Sequence, residues 1–224
     1  MPVKRPSQAA RPYHHADLPA ALIGEALTIL DRDGSADFTL RSLARRLGVS
    51  HAAPYAHFAN KAALLGEIAA AGFERLEAAM AAARDPVPAR TATARLEAIG
   101  LAYIHFGRSH PALYGLMFGP GIAGAVAHVP RLAAAGGAAY ALLVDAVAAV
   151  LRRPPGDADV RHGAFAAWAS VHGATQLLLG AGLGAPQADG DADRASAAVV
   201  RITARGLEAS VQRAARRRRE HPPA

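Results

Sequence analysis

Residues 39–61 gather side chains suited to contact with a polyanion: Thr39, Arg41, Ser50, His51, Tyr55, His57 and Lys61, with the small Ala52 and Ala53 between them. Hydroxyl, imidazole, phenol, guanidinium and ammonium groups can all donate to phosphate oxygens, and several can also meet base edges. Alanine at the centre of such a set lets a backbone approach bases closely. The chemistry indicated is recognition of double-stranded DNA rather than bond making.

Two short helices joined by a tight turn must position this set. Leu40, Leu43, Ala44 and Leu47 recur at helical spacing and form one apolar face, with Arg41, Arg45 and Arg46 off it. Thr39 can cap that helix, and Gly48 suits the left-handed conformation that ends one. Val49 should plug the angle, and Ser50 should cap a second helix opening with His51, Ala52 and Ala53. Pro54 falls in its first turn, where a missing N–H is tolerated. Phe58 should pack inward, and Asn60 should cap a third helix beginning at Lys61. A helix-turn-helix of this size can lay its second helix in a major groove.

These residues, Gly48-Val49-Ser50 and Tyr55-x-His57-Phe58 followed by Lys61, resemble the DNA-binding domain of the TetR family of bacterial transcriptional regulators, over about residues 13–70. By position, the resemblance implies base contacts from Arg41, His51, Ala52 and Ala53. It implies backbone contacts from Thr39, Ser50, Tyr55, His57 and Lys61. The runs Tyr13 to Leu18 and Ser50 to Tyr55, with Trp168, His172 and Gly173, resemble the subgroup with a C-terminal Trp-His-Gly (WHG) domain.

A second concentration of polar and aromatic residues lies farther on: Tyr103, His105, Phe106, His110, Tyr114, Met117 and Phe118, with Trp168, His172 and Gln176 on one face of a later helix. Such residues can simply pack a core, with His105 or His172 bonded to a carbonyl, or they can line an apolar pocket with a few polar groups. The resemblance implies a small-molecule effector cavity, for which Tyr103, Phe106, His110, Tyr114, Phe118, Trp168 and His172 are the candidates. It also implies a homodimer, and a single short recognition helix would read too few base pairs alone.

Composition narrows the alternatives. Of 224 residues 52% are hydrophobic, many of them alanine, which favours an all-α core. The net charge of +7 favours an anionic partner. There is no cysteine, which fits a cytoplasmic protein. No run of about 18 apolar residues escapes charges or turn formers, so no membrane span is predicted. No signal-peptide pattern opens the chain. No Gly-x-Ser-x-Gly elbow, phosphate-cradling glycine loop or His-Glu-x-x-His motif is present, so no enzyme, cofactor or metal is expected. A nonspecific architectural DNA protein is the alternative that the basic composition permits, and an all-helical enzyme is the more remote one.

The predicted organisation is a basic arm over 1–16 carrying Lys4, Arg5 and Arg11, a helix-turn-helix domain over 17–62, and a regulatory and dimerisation domain over 63–216. A basic tail over 217–224 follows. Helices are predicted at about 18–33, 61–84, 90–109, 131–152, 158–180 and 191–216, with a short one after Pro111 and an ambiguous stretch at 122–129. Residues 180–190 form a Gly- and Asp-rich loop. In the last two helices Val160, Ala164, Ala167, Trp168, Val171, Ala174 and Leu178 form one stripe, and Val199, Ile202, Gly206 and Ala209 another. Such stripes can pack the core of a monomer or form a four-helix interface between two copies, and the latter is predicted.

Overall fold

A computed structural model describes residues 17–88, 91–126, 128–180 and 190–220; the expectations for the arm, for 181–189 and for 221–224 lie outside the described residues. The architecture is all-α, and the described residues contain no strand.

The first helix, α1 (Leu18–Asp33), begins where the Asp17 carboxylate accepts from the Ala20 N–H at 3.1 Å, and Pro19 occupies its first turn. Gly34 ends it in the left-handed conformation, φ +70°. The next, α2 (Leu40–Arg46), carries a reciprocal cap. The Ser42 N–H donates to the Thr39 hydroxyl at 3.0 Å, and the Thr39 N–H donates to the Ser42 hydroxyl at 2.9 Å. Gly48, at φ +71°, turns the chain as its sequence position predicts.

The second element of the helix-turn-helix differs from expectation. It is a single 3₁₀ turn, Ala53–Ala56, rather than an α-helix capped by Ser50. Ala53 and Tyr55 donate to the carbonyls of Ser50 and Ala52, three residues back, at 3.0 and 3.1 Å. Pro54 supplies the reason. It has no N–H to return to Ser50, and its ring disfavours the α conformation at Ala53.

The long helix α3 (Lys61–Arg84) is capped by Asn60, whose side chain accepts from the Ala63 N–H at 2.9 Å. It packs on α1 and continues into the larger domain. There α4 (Ala92–Ser109) forms the axis, touched by α3, α5 (Pro111–Met117), α7 (Pro130–Leu151), α8 (Ala158–Leu179) and α9 (Asp191–Glu220). The ambiguous stretch contains a short helix, α6 (Pro120–Ala125), and α9 continues four residues past the predicted end. The backbone of 217–220, expected as tail, is therefore helical.

By composition α7 is apolar enough to cross a bilayer, with mean hydropathy 1.8. It packs instead against α3, α4 and α8, and buries Leu132, Leu143, Val147 and Leu151 in the core. The first of the two predicted interface stripes is also inward. Val160, Ala164, Ala167 and Val171 are buried within the chain's own core. The opposite face of α8 leaves Phe165 62% and Leu177 60% exposed, and on α9 Ile202 is 71% exposed.

Candidate nucleic-acid interface and ligand cavity

Thr39, Arg41, Ser50, His51, Ala52, Tyr55, His57 and Lys61 are all exposed, and Ala53 is half-buried. Beneath them Leu40, Leu43, Pro54 and Phe58 are buried, and Val49 packs on the same core. One apolar floor thus fixes the start of α2, the 3₁₀ turn and the start of α3, and presents the polar set outward. Arg46 points elsewhere and pairs with Glu25 of α1.

Lys61 has a second engagement that its sequence position did not signal. Its ammonium donates to the Ala36 carbonyl at 2.6 Å and lies 5.2 Å from the Phe38 ring centroid. An ammonium has three protons, so this bond leaves two for phosphate. Lys61 therefore also ties the first turn of α3 to the loop that precedes α2.

The larger domain holds a half-open cavity of about 390 Å³. Its walls are Phe73, Leu76 and Met80 from α3, Leu96, Ile99 and Tyr103 from α4, and Phe118 from the loop after α5. Ala139 and Tyr140 of α7, Trp168 and Val171 of α8, and Val200 and Thr203 of α9 complete it. No charged side chain lines it. Phe73 and Phe118 meet edge to face at 5.3 Å, as do Tyr140 and Trp168 at 6.0 Å.

Of the seven sequence candidates, Tyr103, Phe118 and Trp168 reach the cavity. Tyr114 and His172 stand behind Tyr103 in a hydrogen-bonded triangle. The Tyr114 and Tyr103 hydroxyls lie 2.7 and 2.9 Å from His172 Nδ1 and 3.1 Å from each other. Phe106 and His110 do not line the cavity. They border a separate groove with Ala102, His105 and Ser109, and His110 Nδ1 lies 3.2 Å from Asp31 of α1. His110 thus touches the helix-turn-helix unit rather than the cavity. The sequence reading missed Phe73, Met80, Tyr140 and Thr203. The first two show only as members of an ordinary apolar stripe, and Tyr140 sits in an alanine-rich helix with no preferred face to read.

Two family models match the chain. The one described as "Bacterial regulatory proteins, tetR family" covers residues 22–68, and the one described as "Tetracyclin repressor-like, C-terminal domain" covers 96–203. The chain belongs to the TetR family. A solved structure of a protein with unknown function from Rhodococcus sp. RHA1 is 36% identical, with 89% of this chain and 100% of that chain covered and a TM-score of 0.70. A candidate regulatory protein, SCO4313, is 19% identical with a TM-score of 0.61, over 89% of this chain and 98% of its own, and shares the fold. No curated protein matches. As a TetR-family protein the chain is a DNA-binding transcriptional regulator.

The electrostatics of the cavity wall follow from burial. Burial pushes the Tyr103 and Tyr114 phenols above their ordinary range, so both stay protonated. Burial also lowers the His172 pKa below its ordinary 6.5, which favours the neutral imidazole. Between the lowered folded value and 6.5 the unfolded chain binds a proton that the folded chain resists. This contribution to stability is therefore complete above 6.5 and is lost as the pH falls below it. Thermal melts across that range should show a smaller acid-side loss in His172→Gln than in the parent, once their neutral-pH difference is subtracted. Parallel curves would mean that His172 does not titrate differently on folding.

Proposed function

We propose that this TetR-family regulator is a cytoplasmic, ligand-released repressor of the WHG subgroup that binds a palindromic operator as a homodimer. In this reading residues 17–62 are the DNA-binding domain and 63–216 the regulatory and dimerisation domain. Arg41, His51, Ala52 and Ala53 face the bases, and Thr39, Ser50, Tyr55, His57 and Lys61 face the phosphates. The subgroup assignment rests on Trp168, His172 and Gly173 in α8, two of which belong to the cavity wall or its hydrogen-bonded backing.

The observation that carries the reading is the path of α3. It starts at Lys61 on the exposed polar surface and passes Phe73, Leu76 and Met80 on the cavity wall. Twelve residues of helix separate Lys61 from Phe73, about 18 Å at 1.5 Å per residue. A ligand that repacks the cavity walls moves the helix whose first turn holds the DNA-facing loops. A coupling on the order of 1–3 kcal/mol suffices for release.

Fluorescence anisotropy against the DNA flanking the protein's own gene, with a shuffled control across a salt series, tests this. The parent should prefer the flank by roughly 10³-fold or more. His51→Ala should cost about 1–3 kcal/mol on the flank and little on the control, whereas Lys61→Ala should weaken both and lower the salt slope by about 1. Equal binding of flank and control, followed by no enriched sequence in a selection from random DNA, would replace the repressor with an architectural DNA protein.

A further inference from the structure

The walls of the cavity say what chemistry it can hold. Four of its lining residues, Tyr103, Tyr140, Trp168 and Thr203, carry a polar atom, none of them charged, and the exposed wall is almost wholly apolar. A carboxylate, phosphate or ammonium entering it would lose its hydration with no opposite charge to meet. These walls therefore suit an uncharged molecule.

Two of the polar groups act together. The Trp168 N–H lies 3.4 Å from the Tyr103 oxygen, a long and weak hydrogen bond. Tyr103 is also a replaceable partner in its triangle. Tyr114, at 2.7 Å, is close enough to satisfy His172 Nδ1 by itself, and the Tyr114 oxygen lies a longer 3.1 Å from Tyr103. The Tyr103 proton can thus swing toward the cavity at the cost of a long bond. Its neighbour Trp168 can only donate. Two donors that close together suit one oxygen with two lone pairs.

We propose that the effector is an uncharged, ring-bearing hydrophobic molecule with one carbonyl-type oxygen, held by the Tyr103 hydroxyl and the Trp168 N–H. This rests on the reading of the cavity as the effector site. The rings of Phe73, Phe118 and Tyr140 offer edges and faces to a cyclic body, and Leu76, Met80 and Leu96 receive its hydrocarbon end. The cavity volume falls toward the lower end of the roughly 300–1,000 Å³ of small-molecule sites, which favours a compact ligand.

Trp168 is the chain's single tryptophan, so its fluorescence reports occupancy directly. The probes are 2-acetylnaphthalene, 2-ethylnaphthalene of nearly the same shape, and the 2-naphthoate anion. The ketone should bind and perturb Trp168, and naphthoate should bind on the order of 100-fold more weakly. Tyr103→Phe should weaken the ketone about 5–10-fold and leave the hydrocarbon unchanged. If Tyr103→Phe does not fold, Trp168→Phe read by calorimetry gives the same comparison.

Naphthoate binding as tightly as the ketone, equal losses for ketone and hydrocarbon, or no binding of either neutral probe would each overturn the proposal. Release of operator DNA is measured separately. Binding with the expected selectivity supports the ligand class whether or not DNA is released. Ketone occupancy without release counts against the ligand-released repressor and not against the cavity chemistry.

Discussion

Gly107→Ala is expected to lower the melting temperature by about 3–10 °C, although it adds one methyl group in a helix. A Cβ built at Gly107 falls 2.4 Å from Thr175 Cγ2 and 3.1–3.2 Å from two ring atoms of Tyr114. Neither neighbour can yield cheaply. Thr175 is fully buried, and its hydroxyl donates to the Val171 carbonyl at 2.7 Å, which fixes the rotamer. Tyr114 is fully buried and bound to His172 and Tyr103. The helices themselves must part, which costs about 1–3 kcal/mol even after the better helix propensity of alanine is credited. Gly115→Ala is the control, because nothing lies within 4 Å of its added Cβ. Scanning calorimetry of the two variants decides the matter. If Gly107→Ala melts with Gly115→Ala, the α4–α8 contact is softer than the packing around Thr175 implies. The same substitution displaces Tyr114, so it should also disturb the triangle that backs the cavity.

The sequence spelled out most of what depends on local chemistry. Thr39 and Asn60 cap the helices they are expected to cap, and Gly48 makes the left-handed turn. Such features need only a few neighbouring residues. The 3₁₀ turn at Ala53–Ala56 was also a local matter, because Pro54 both removes a donor and restrains Ala53.

The cavity was only half legible because a helix face must be known to within a fraction of a turn. Phe106 lies three residues after Tyr103, so its side chain points about 60° away around α4. That rotation takes it from the cavity to the groove with His105. His110 follows the last helical residue at φ −130°, ψ 58°, where helical spacing no longer applies. The inward packing of the Val160–Val171 stripe shows the same difficulty on α8, where apolar residues surround most of the helix and the sequence cannot rank its faces.

The outward face of α8 leads to the second large expectation. Between Arg161 and Asp189 the sequence has no Asp, Glu, Lys or Arg, yet Phe165, Ala166, Ala169 and Leu177 are exposed. On α9 Ile202 and Gly206 are exposed as well. In the homodimer proposed above, these apolar side chains on adjacent helices would meet their copies, and two copies would supply four helices for a bundle. The double variant Phe165→Glu with Ile202→Glu should fold, because the chain's own core uses neither side chain and exposed substitutions usually cost within about 0.5 kcal/mol. It should sediment as a monomer. A monomer engages one half-site without the avidity of the second, so operator affinity should fall by about 100-fold or more. A variant that remains dimeric with unchanged affinity would remove α8 and α9 from the interface. A monomer that keeps full operator affinity would instead overturn the paired half-site reading, because a single 3₁₀ turn and its flanks would then be reading the whole operator.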